Sequence, residues 1–378
     1  MAGNRKINKY KTLNGLATRF RNDLNGQDGP DFILLYAHNS TGKTRTSMEF
    51  KDKGKKESIK GRDTLYYNAF TEDLFVWDND LDSDTDRHIT LNSASAFFSG
   101  FKDLALEQRI LAYLERYAAF EFKFDYENWK VSFEQEIKNP KFHPNNNEPE
   151  FIKEVNIKIS RGEENIFKWC FYLALCELAI EDEDLTGPYN WVDYFYIDDP
   201  VSSLDDNNAI AIATDMIALL RKSEGRIKAV ISTHHSLFYN VLWNELRAEK
   251  PKRYFLYKNG QDGLNLQKTD DTPFFHHVAL LSELKKAVRR NKVYSYHFNA
   301  LRSVLEKTAS FFGQQDIGFC LNGIQDETLY NRALNLLSHG KYSLYQPVEL
   351  TDDNKQLFKK IMDDFLDKYE FDIPQLTK

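Results

Sequence analysis

The most informative segment of this chain reads Phe32-Ile33-Leu34-Leu35-Tyr36-Ala37-His38-Asn39-Ser40-Thr41-Gly42-Lys43-Thr44. Its first part is a short apolar run, which predicts a buried strand. The part from Ala37 to Thr44 matches the phosphate-binding loop pattern, with alanine in place of the first glycine. A helix-like stretch follows. Because a loop between strand and helix turns backbone N–H groups toward phosphate oxygens, this context indicates a nucleotide site.

Individual residues of this loop have distinct expected roles. Lys43 should reach the outer phosphates of ATP or GTP, Thr44 should place its hydroxyl on Mg²⁺, and Gly42 should let the backbone come close. A chance match to a pattern with one altered position is the alternative. The predicted nucleotide-binding residues of the loop are Asn39, Ser40, Thr41, Gly42, Lys43, Thr44 and Arg45.

A second motif supports the first. The apolar run 194–197 ends in Asp198 and Asp199, as in a Walker-B strand. Asp198 should hold Mg²⁺, directly or through water, and Asp199 stands where ABC ATPases carry a glutamate that orients or deprotonates the attacking water. The shorter side chain predicts slow hydrolysis. Two capping carboxylates at a strand end are the alternative, but they would leave the other motifs unexplained.

Three further segments complete the set of an ABC-type head. A segment that looks like the signature motif is Ile159-Ser160-Arg161-Gly162-Glu163. One that looks like the D-loop is Pro200-Val201-Ser202-Ser203-Leu204-Asp205, and one that looks like the switch-histidine strand is Ile231-Ser232-Thr233-His234. In this class the signature serves the opposite protomer, so we expect a head-to-tail homodimer or a higher homo-oligomer. The additional predicted nucleotide contacts are Ser160, Gly162, Glu163 and Asp205, with His234 assisting hydrolysis.

The order of these motifs defines the expected architecture. Strand runs alternate with helical segments, which predicts an α/β head of the ABC/RecF-like P-loop type with a mostly parallel sheet. Strand signals fade after about residue 275. We therefore predict an ATPase domain over 1–265 and a smaller, mostly α-helical domain over 266–378.

Composition narrows the possible functions. The chain has 378 residues and a net charge of −7, and because proteins that wrap duplex DNA are usually basic, any nucleic-acid contact should be local. Its three cysteines form no CxxC pair, which is typical of a reduced, cytoplasmic protein. We expect no signal peptide and no membrane span.

Several segments resemble the anticodon nuclease PrrC family. They are Leu35–Arg45, Tyr67–Phe75 with Trp77–Asp80, Ile197–Asn207 and Phe238–Leu242. The alanine at the first phosphate-loop position is similar to the family's own pattern. The resemblance implies a tRNA anticodon-loop endoribonuclease gated by nucleotide binding and hydrolysis. It also implies lysine tRNA cut near the wobble base in anti-phage defence, and a type I restriction–modification enzyme as the partner that keeps the nuclease latent.

The resemblance also implies a nuclease centre in the tail, carried over onto Arg302, Glu306 and His339. Arg302 and Glu306 are four residues apart and project from one helical face. Metal-independent RNA cleavage needs a base for the 2′-OH, an acid for the 5′-oxygen and a cation at the phosphorane, and it gives 2′,3′-cyclic phosphate and 5′-OH ends. Either Glu306 or His339 can be the base. Without the resemblance, an Arg/Glu pair of this spacing is usually a surface ion pair.

Other tail residues are candidate substrate contacts. A predicted helix carries Lys285, Lys286, Arg289, Arg290 and Lys292, which suits the phosphates of a tRNA stem-loop, although a solvated charged face is equally consistent. Asp270 and Asp271 fall near a family carboxylate implicated in anticodon recognition, and His277 matches a family position.

Two other functions fit the same head. A RecF-like DNA-binding ATPase would show DNA-stimulated hydrolysis and no dependence on the tail triad. An ATPase sensor whose tail docks a separate effector would cut no RNA by itself. The fold alone does not separate these possibilities.

Overall fold

A computed structural model describes most of the chain, which divides into two compact units. The head unit is Lys6–Asp270 and the C-terminal unit is Asp271–Lys378. The head sheet continues beyond residue 265, where the sequence placed the domain boundary, because its last strand ends at Lys268. The described residues are 7–68, 75–78, 85–93, 106–143, 148–182, 186–202, 204–258, 263–269, 280–281, 284–285, 287–314, 316–322, 328–330, 333–334 and 350–369.

A seven-stranded sheet forms the centre of the head unit, in the order β1-β12-β11-β2-β10-β9-β3. Neighbouring strands from β11 to β3 are parallel, and β12 and β1 are added in antiparallel fashion. The predicted mostly parallel sheet is confirmed. Its strands are β1 (Ile7–Tyr10), β2 (Phe32–Ala37), β3 (Thr64–Asn68), β9 (Tyr194–Asp198), β10 (Lys228–Thr233), β11 (Lys252–Lys258) and β12 (Leu264–Lys268).

Helices cover both faces of this sheet. Phe20 and Phe50, from α1 and α2, share a buried core with Tyr196 on one face. On the other face, the Trp169 ring of α4 packs 5.1 Å from the Tyr67 ring of β3. The described helices of the head are α1 (Leu13–Asn25), α2 (Lys43–Glu57), α3 (Leu106–Leu114), α4 (Arg161–Glu181), α5 (Asp206–Arg221) and α6 (Ser236–Glu245).

A second, antiparallel sheet packs on α4. Its order is β4-β5-β7-β6, with β8 also paired to β7. Phe133 of β7 is buried, and its ring lies 5.1 Å from that of Phe167 on α4. The antiparallel sheet therefore packs against the first half of α4 within the head unit. Its strands are β4 (Phe75–Asp78), β5 (His88–Leu91), β6 (Glu121–Asp125), β7 (Lys130–Lys138) and β8 (Phe151–Val155).

The described part of the C-terminal unit is mainly helical, as predicted. It contains α7 (Ser295–Phe311), α8 (Gly318–Leu321) and α9 (Asp352–Tyr369). Apolar residues recur at helical spacing on α7 and α9 and form one buried core. In this core, the ring centroids of Phe298 and Phe358 lie 5.0 Å apart. None of the helices within the described residues is long and apolar enough to cross a membrane.

A buried histidine caps the start of α7. The backbone N–H of Tyr294 donates to Nδ1 of His297 at 2.8 Å, in a capping-box arrangement, and His297 is 7% exposed. Burial lowers the pKa of His297 from 6.5 to about 4. Between about pH 4 and pH 6.5 the unfolded chain therefore binds a proton that the folded chain does not.

This linkage predicts that acid destabilises the C-terminal unit. From His297 alone, the free energy of unfolding should fall by roughly 3 kcal/mol as the pH drops from 7 to 4. Glutamine can accept the same capping hydrogen bond but does not titrate, so His297→Gln should flatten this part of the pH dependence. Urea unfolding of both proteins between pH 7 and pH 4 measures the effect. Equal slopes for the two proteins would contradict the assignment.

Candidate functional site

The phosphate loop joins β2 to α2 in the predicted way. Gly42 has φ of 109°, a left-handed conformation that disfavours a side chain, and an added Cβ would lie 3.3 Å from Cδ2 of Leu13. Ala37, at the position of the missing glycine, is the last residue of β2 and is fully buried. An extended strand residue accepts a Cβ, which explains why alanine is tolerated there.

Lys43 is the first residue of α2, at the end of the phosphate loop, and it is only 5% exposed. Its Nζ donates to the carbonyl oxygen of Ala37 at 3.0 Å and to Oδ1 of Asn39 at 3.4 Å. The same ammonium group lies 3.2 Å from Oδ2 of Asp199. These contacts hold the cation inside the loop, where it can bind phosphate oxygens.

Asp198 is fully buried at the end of β9. The hydroxyl of Thr44 donates to its Oδ2 at 2.7 Å, and that of Ser232 donates to its Oδ1 at 2.6 Å. Burial raises the pKa of Asp198, while these two hydrogen bonds oppose the change. The register of the sheet explains the grouping, since Ser232 and Asn68 are the strand partners of Asp198 on either side.

The donors around Asp198 suit Mg²⁺. One carboxylate and one hydroxyl oxygen are adjacent, and Mg²⁺ at phosphates is usually held by one or two protein oxygens, with water and phosphate supplying the remainder. Within the described ranges, no group of three or more His, Cys, Asp and Glu side chains could hold a metal by itself. Thr44 and Asp198 would therefore hold the ion together with the nucleotide.

Asp199 and His234 form a tight pair beside Lys43. Nδ1 of His234 lies 2.7 Å from both carboxylate oxygens of Asp199, and its backbone N–H donates to Oδ1 at 3.0 Å. Burial acts to raise the pKa of Asp199, but the hydrogen bond from His234 and the charge of Lys43 lower it overall. The carboxylate is thus kept ionised and can orient the imidazole, or accept a proton if His234 moves aside.

A cavity of about 970 Å³ brings most of these residues together. Residues predicted from the motifs line it, including the loop from Asn39 to Arg45, Asp199 and His234. The remaining lining residues were not among the predicted nucleotide contacts, although Ser202 lies in the D-loop segment. They are Lys11, Thr12, Leu13, Asn14, Glu49, Ser202, Lys258, Gly263 and Leu264. Glu49 could have been found, since it lies four residues after Arg45 on α2 and so shares its face.

The signature motif lies outside this cavity. Ser160 is exposed and caps α4, where its hydroxyl accepts from the backbone N–H of Glu163 at 3.3 Å. The Glu163 carboxylate accepts from the backbone N–H of Ser160 at 2.7 Å, and Gly162 lies in the first turn. Asp205 is also a helix cap, accepting from the backbone N–H of Asn208 at 2.8 Å. Contact of these residues with a nucleotide stays a prediction.

In the C-terminal unit, Arg302 and Glu306 lie on α7 as predicted. Nε of Arg302 donates to Oε1 of Glu306 at 2.7 Å, and the two side chains are 23% and 50% exposed. The predicted partners and contacts His339, Asp270, Asp271, His277 and Lys286 lie outside the described residues.

The basic segment differs in part from its prediction. Helical turns are found at 284–285 and 287–289, but Arg290 lies in a turn, and Asn291 has φ of 53°. The helix therefore ends before Arg290 and Lys292. Lys285 is partly buried near Asp363, whereas Arg289 and Arg290 are exposed.

The fold and the loop–Asp198–Asp199–His234 site define the chain as a P-loop ATPase. Comparison with known proteins agrees, because a family model described as an AAA domain matches residues 108–367. The chain is also 34% identical over 366 residues to a protein named anticodon nuclease from Escherichia coli, covering 88% of each chain. The chain belongs to the anticodon nuclease family, the family that its motifs resemble.

Proposed function

We propose that this chain is a tRNA anticodon-loop endoribonuclease whose activity is gated by ATP or GTP binding and hydrolysis, with Mg²⁺, in the head unit. The main support is the 34% identity to an anticodon nuclease, which covers 88% of this chain. Because that share exceeds either unit alone, the similarity extends into both the head unit, which holds the nucleotide site, and the C-terminal unit, which carries the Arg302–Glu306 pair.

The proposed cleavage uses the 2′-OH next to the scissile phosphate. One of Glu306 and His339 removes its proton, the O2′–P bond forms, the P–O5′ bond breaks, and the other residue protonates the leaving 5′-oxygen. The partly exposed guanidinium of Arg302 stabilises charge on the phosphorane. The reaction needs no metal at the RNA, leaves 2′,3′-cyclic phosphate and 5′-OH ends, and does not act on DNA.

Gating is proposed to require two heads. Ser160 is exposed, Gly162 and Glu163 are partly buried, and none of the three lines the cavity of its own chain. A helix N-terminus such as theirs suits a γ-phosphate. A second copy placed head to tail, or a higher homo-oligomer, would bring them to the nucleotide. Asp205 would also contribute to the nucleotide contacts, and Asp199 with His234 would support slow hydrolysis.

The family resemblance supports the remaining details. The proposed substrate is lysine tRNA, cut near the wobble base in the cytoplasm as part of anti-phage defence, with a type I restriction–modification enzyme as the silencing partner. The proposed substrate contacts are Lys285, Lys286, Arg289, Arg290, Asp270, Asp271 and His277.

Bulk tRNA incubated with ATP or GTP tests this function directly. Wild type should cut within anticodon loops, and His339→Ala should remove the cuts while hydrolysis continues. His143→Ala, which changes an exposed histidine of the head unit, is the matched control and should cut normally. Intact tRNA with wild type, while hydrolysis proceeds, would contradict the proposal and favour a RecF-like DNA-binding ATPase or a sensor ATPase.

A further inference from the structure

The end of α7 carries a cluster of three aromatic side chains. Phe312 follows the helix, and its ring centroid lies 5.6 Å from that of Phe319 and 5.9 Å from that of Tyr369. Phe319 and Tyr369 are half-buried, and the Tyr369 ring packs 5.2 Å from the ring of the fully buried Phe365. Phe312 itself is 49% exposed. The cluster therefore joins the core of the C-terminal unit to a ring surface that faces solvent.

The backbone fixes the position of Phe312. The N–H of Gly313 donates to the carbonyl oxygen of Ser310 at 2.9 Å. The N–H of Gln314 donates to the carbonyl oxygen of Ala309, also at 2.9 Å. Together with the left-handed φ of 73° at Gly313, these bonds form a Schellman motif, which ends the helix in a defined conformation. The exposed ring is thus held by an ordered helix end.

A lysine lies beside the rings in a fixed place. Nζ of Lys368 donates to the carbonyl oxygens of Phe319 at 3.1 Å and of Asn322 at 2.8 Å. The same ammonium group lies 5.9 Å from the ring centroid of Phe319 and 5.4 Å from that of Tyr369. Because an ammonium group has three donors, these two bonds leave a third for a ligand. A ring face with a cation beside it suits single-stranded RNA, since every base can stack and every linkage carries a negative charge.

The cluster lies within reach of the Arg302–Glu306 pair. Phe312 comes ten residues after Arg302 at the end of the same helix, or about 15 Å further along its axis. A few nucleotides of single-stranded RNA span that distance. A loop that places one phosphate at Arg302 can therefore bring an unpaired base to Phe312.

We propose that Phe312 stacks against an unpaired base of the RNA substrate, with Lys368 binding a neighbouring phosphate; this inference rests on the proposed function. Phe319 and Tyr369 hold the Phe312 ring in place. Stacking on an aromatic ring tolerates every base, so the contact adds affinity and fixes where the strand lies without reading its sequence. Phe312 is accordingly a positioning residue for the RNA.

The affinity of the full chain for tRNA tests the proposal, measured in the His339→Ala background so that the RNA stays intact. Phe312→Ala should weaken binding by roughly 10- to 100-fold, the usual loss for one stacked base. Phe312→Trp should keep the affinity and Phe312→Leu should lose it, because leucine is apolar but has no ring face. Leu329→Ala is the matched control and should bind as its parent does, since Leu329 is 53% exposed in the same unit but outside the cluster.

Removal of single bases from the RNA separates stacking from damage to the fold. Abasic sites placed one at a time through the anticodon loop should reveal one position that weakens binding about as much as Phe312→Ala does. At that position the substitution should cost nothing further, because the same contact is already lost, whereas at other positions the two losses should add. Lys368→Gln should lower the salt dependence of binding by about one phosphate contact, and Phe312→Ala should leave it unchanged.

Each outcome bears on a defined claim. Equal affinity of Phe312→Ala and its parent, or losses that add at every abasic position, would overturn the stacking role. Unchanged RNA affinity with a changed oligomer mass in light scattering would also overturn it and assign the cluster to a contact between copies of this chain. A wild-type chain that binds tRNA through Phe312 but cuts none would contradict the proposed function and leave this role supported. Binding of no tRNA by the wild-type chain would overturn both.

Discussion

Replacement of Lys43 by alanine is expected to lower nucleotide affinity by at least about a hundredfold and to abolish hydrolysis. The buried ammonium group is held by the carbonyl of Ala37 and by Asp199 at 3.2 Å, and it faces the cavity. Two charge-assisted hydrogen bonds to phosphate are worth about 3 kcal/mol or more together. The variant also removes the Lys43 charge from beside Asp199, so this carboxylate, still paired with His234, repels the phosphates more strongly.

Equilibrium titration with a fluorescent nucleotide and a phosphate-release assay measure both effects. Lys55→Ala is the matched control, since Lys55 is exposed on the same helix and pairs with Asp52 instead of facing the cavity. It should behave as wild type. If Lys43→Ala bound nucleotide with wild-type affinity, the phosphate-loop assignment would be wrong. If it bound weakly but still cut tRNA at the normal rate, the gating proposal would fail.

The head site was predictable because each of its parts is a local signal. Lys43 and Thr44 follow a strand within one short segment, and Asp198 ends another apolar strand, so the parallel sheet brings their carboxyl ends together. The 2.7 Å contact between Thr44 and Asp198 joins residues 154 positions apart, as the two motifs require.

The sequence was less informative where local chemistry is ambiguous. Asp205 fits the D-loop pattern and also caps α5, so its sequence position alone does not separate a nucleotide contact from a helix cap. No sequence motif marks Asn14 as a residue of the cavity, because it contacts Glu49 only through the packing of α1 on α2.

For the C-terminal site, the sequence predicts the local geometry but not its function. The sequence predicts that Arg302 and Glu306 share a face of α7, and their 2.7 Å ion pair agrees. That geometry by itself is common on helix surfaces and contributes little stability, so it does not distinguish catalysis from an ordinary ion pair. The identity to an anticodon nuclease, and not the spacing, favours the catalytic interpretation.

A substitution at Arg302 separates those two interpretations. Arg302→Ala is expected to slow tRNA cleavage by roughly 100- to 1000-fold, the usual cost of removing one group that stabilises transition-state charge. Nucleotide hydrolysis should not change, because the head site contains none of the affected atoms. Arg302→Lys keeps the charge but loses the planar fork, so it should recover only part of the rate.

Single-turnover cleavage of a tRNA, with end analysis of the products, measures this effect. Lys307→Ala removes an exposed cation from the same helix and should cut at the wild-type rate, which controls for general loss of RNA attraction. A 2′-deoxy nucleotide at the cut site should block cleavage by wild type completely, since the attacking group is then missing. If Arg302→Ala and Lys307→Ala cut equally fast, the 2.7 Å pair is only a surface ion pair and the cleavage centre lies elsewhere.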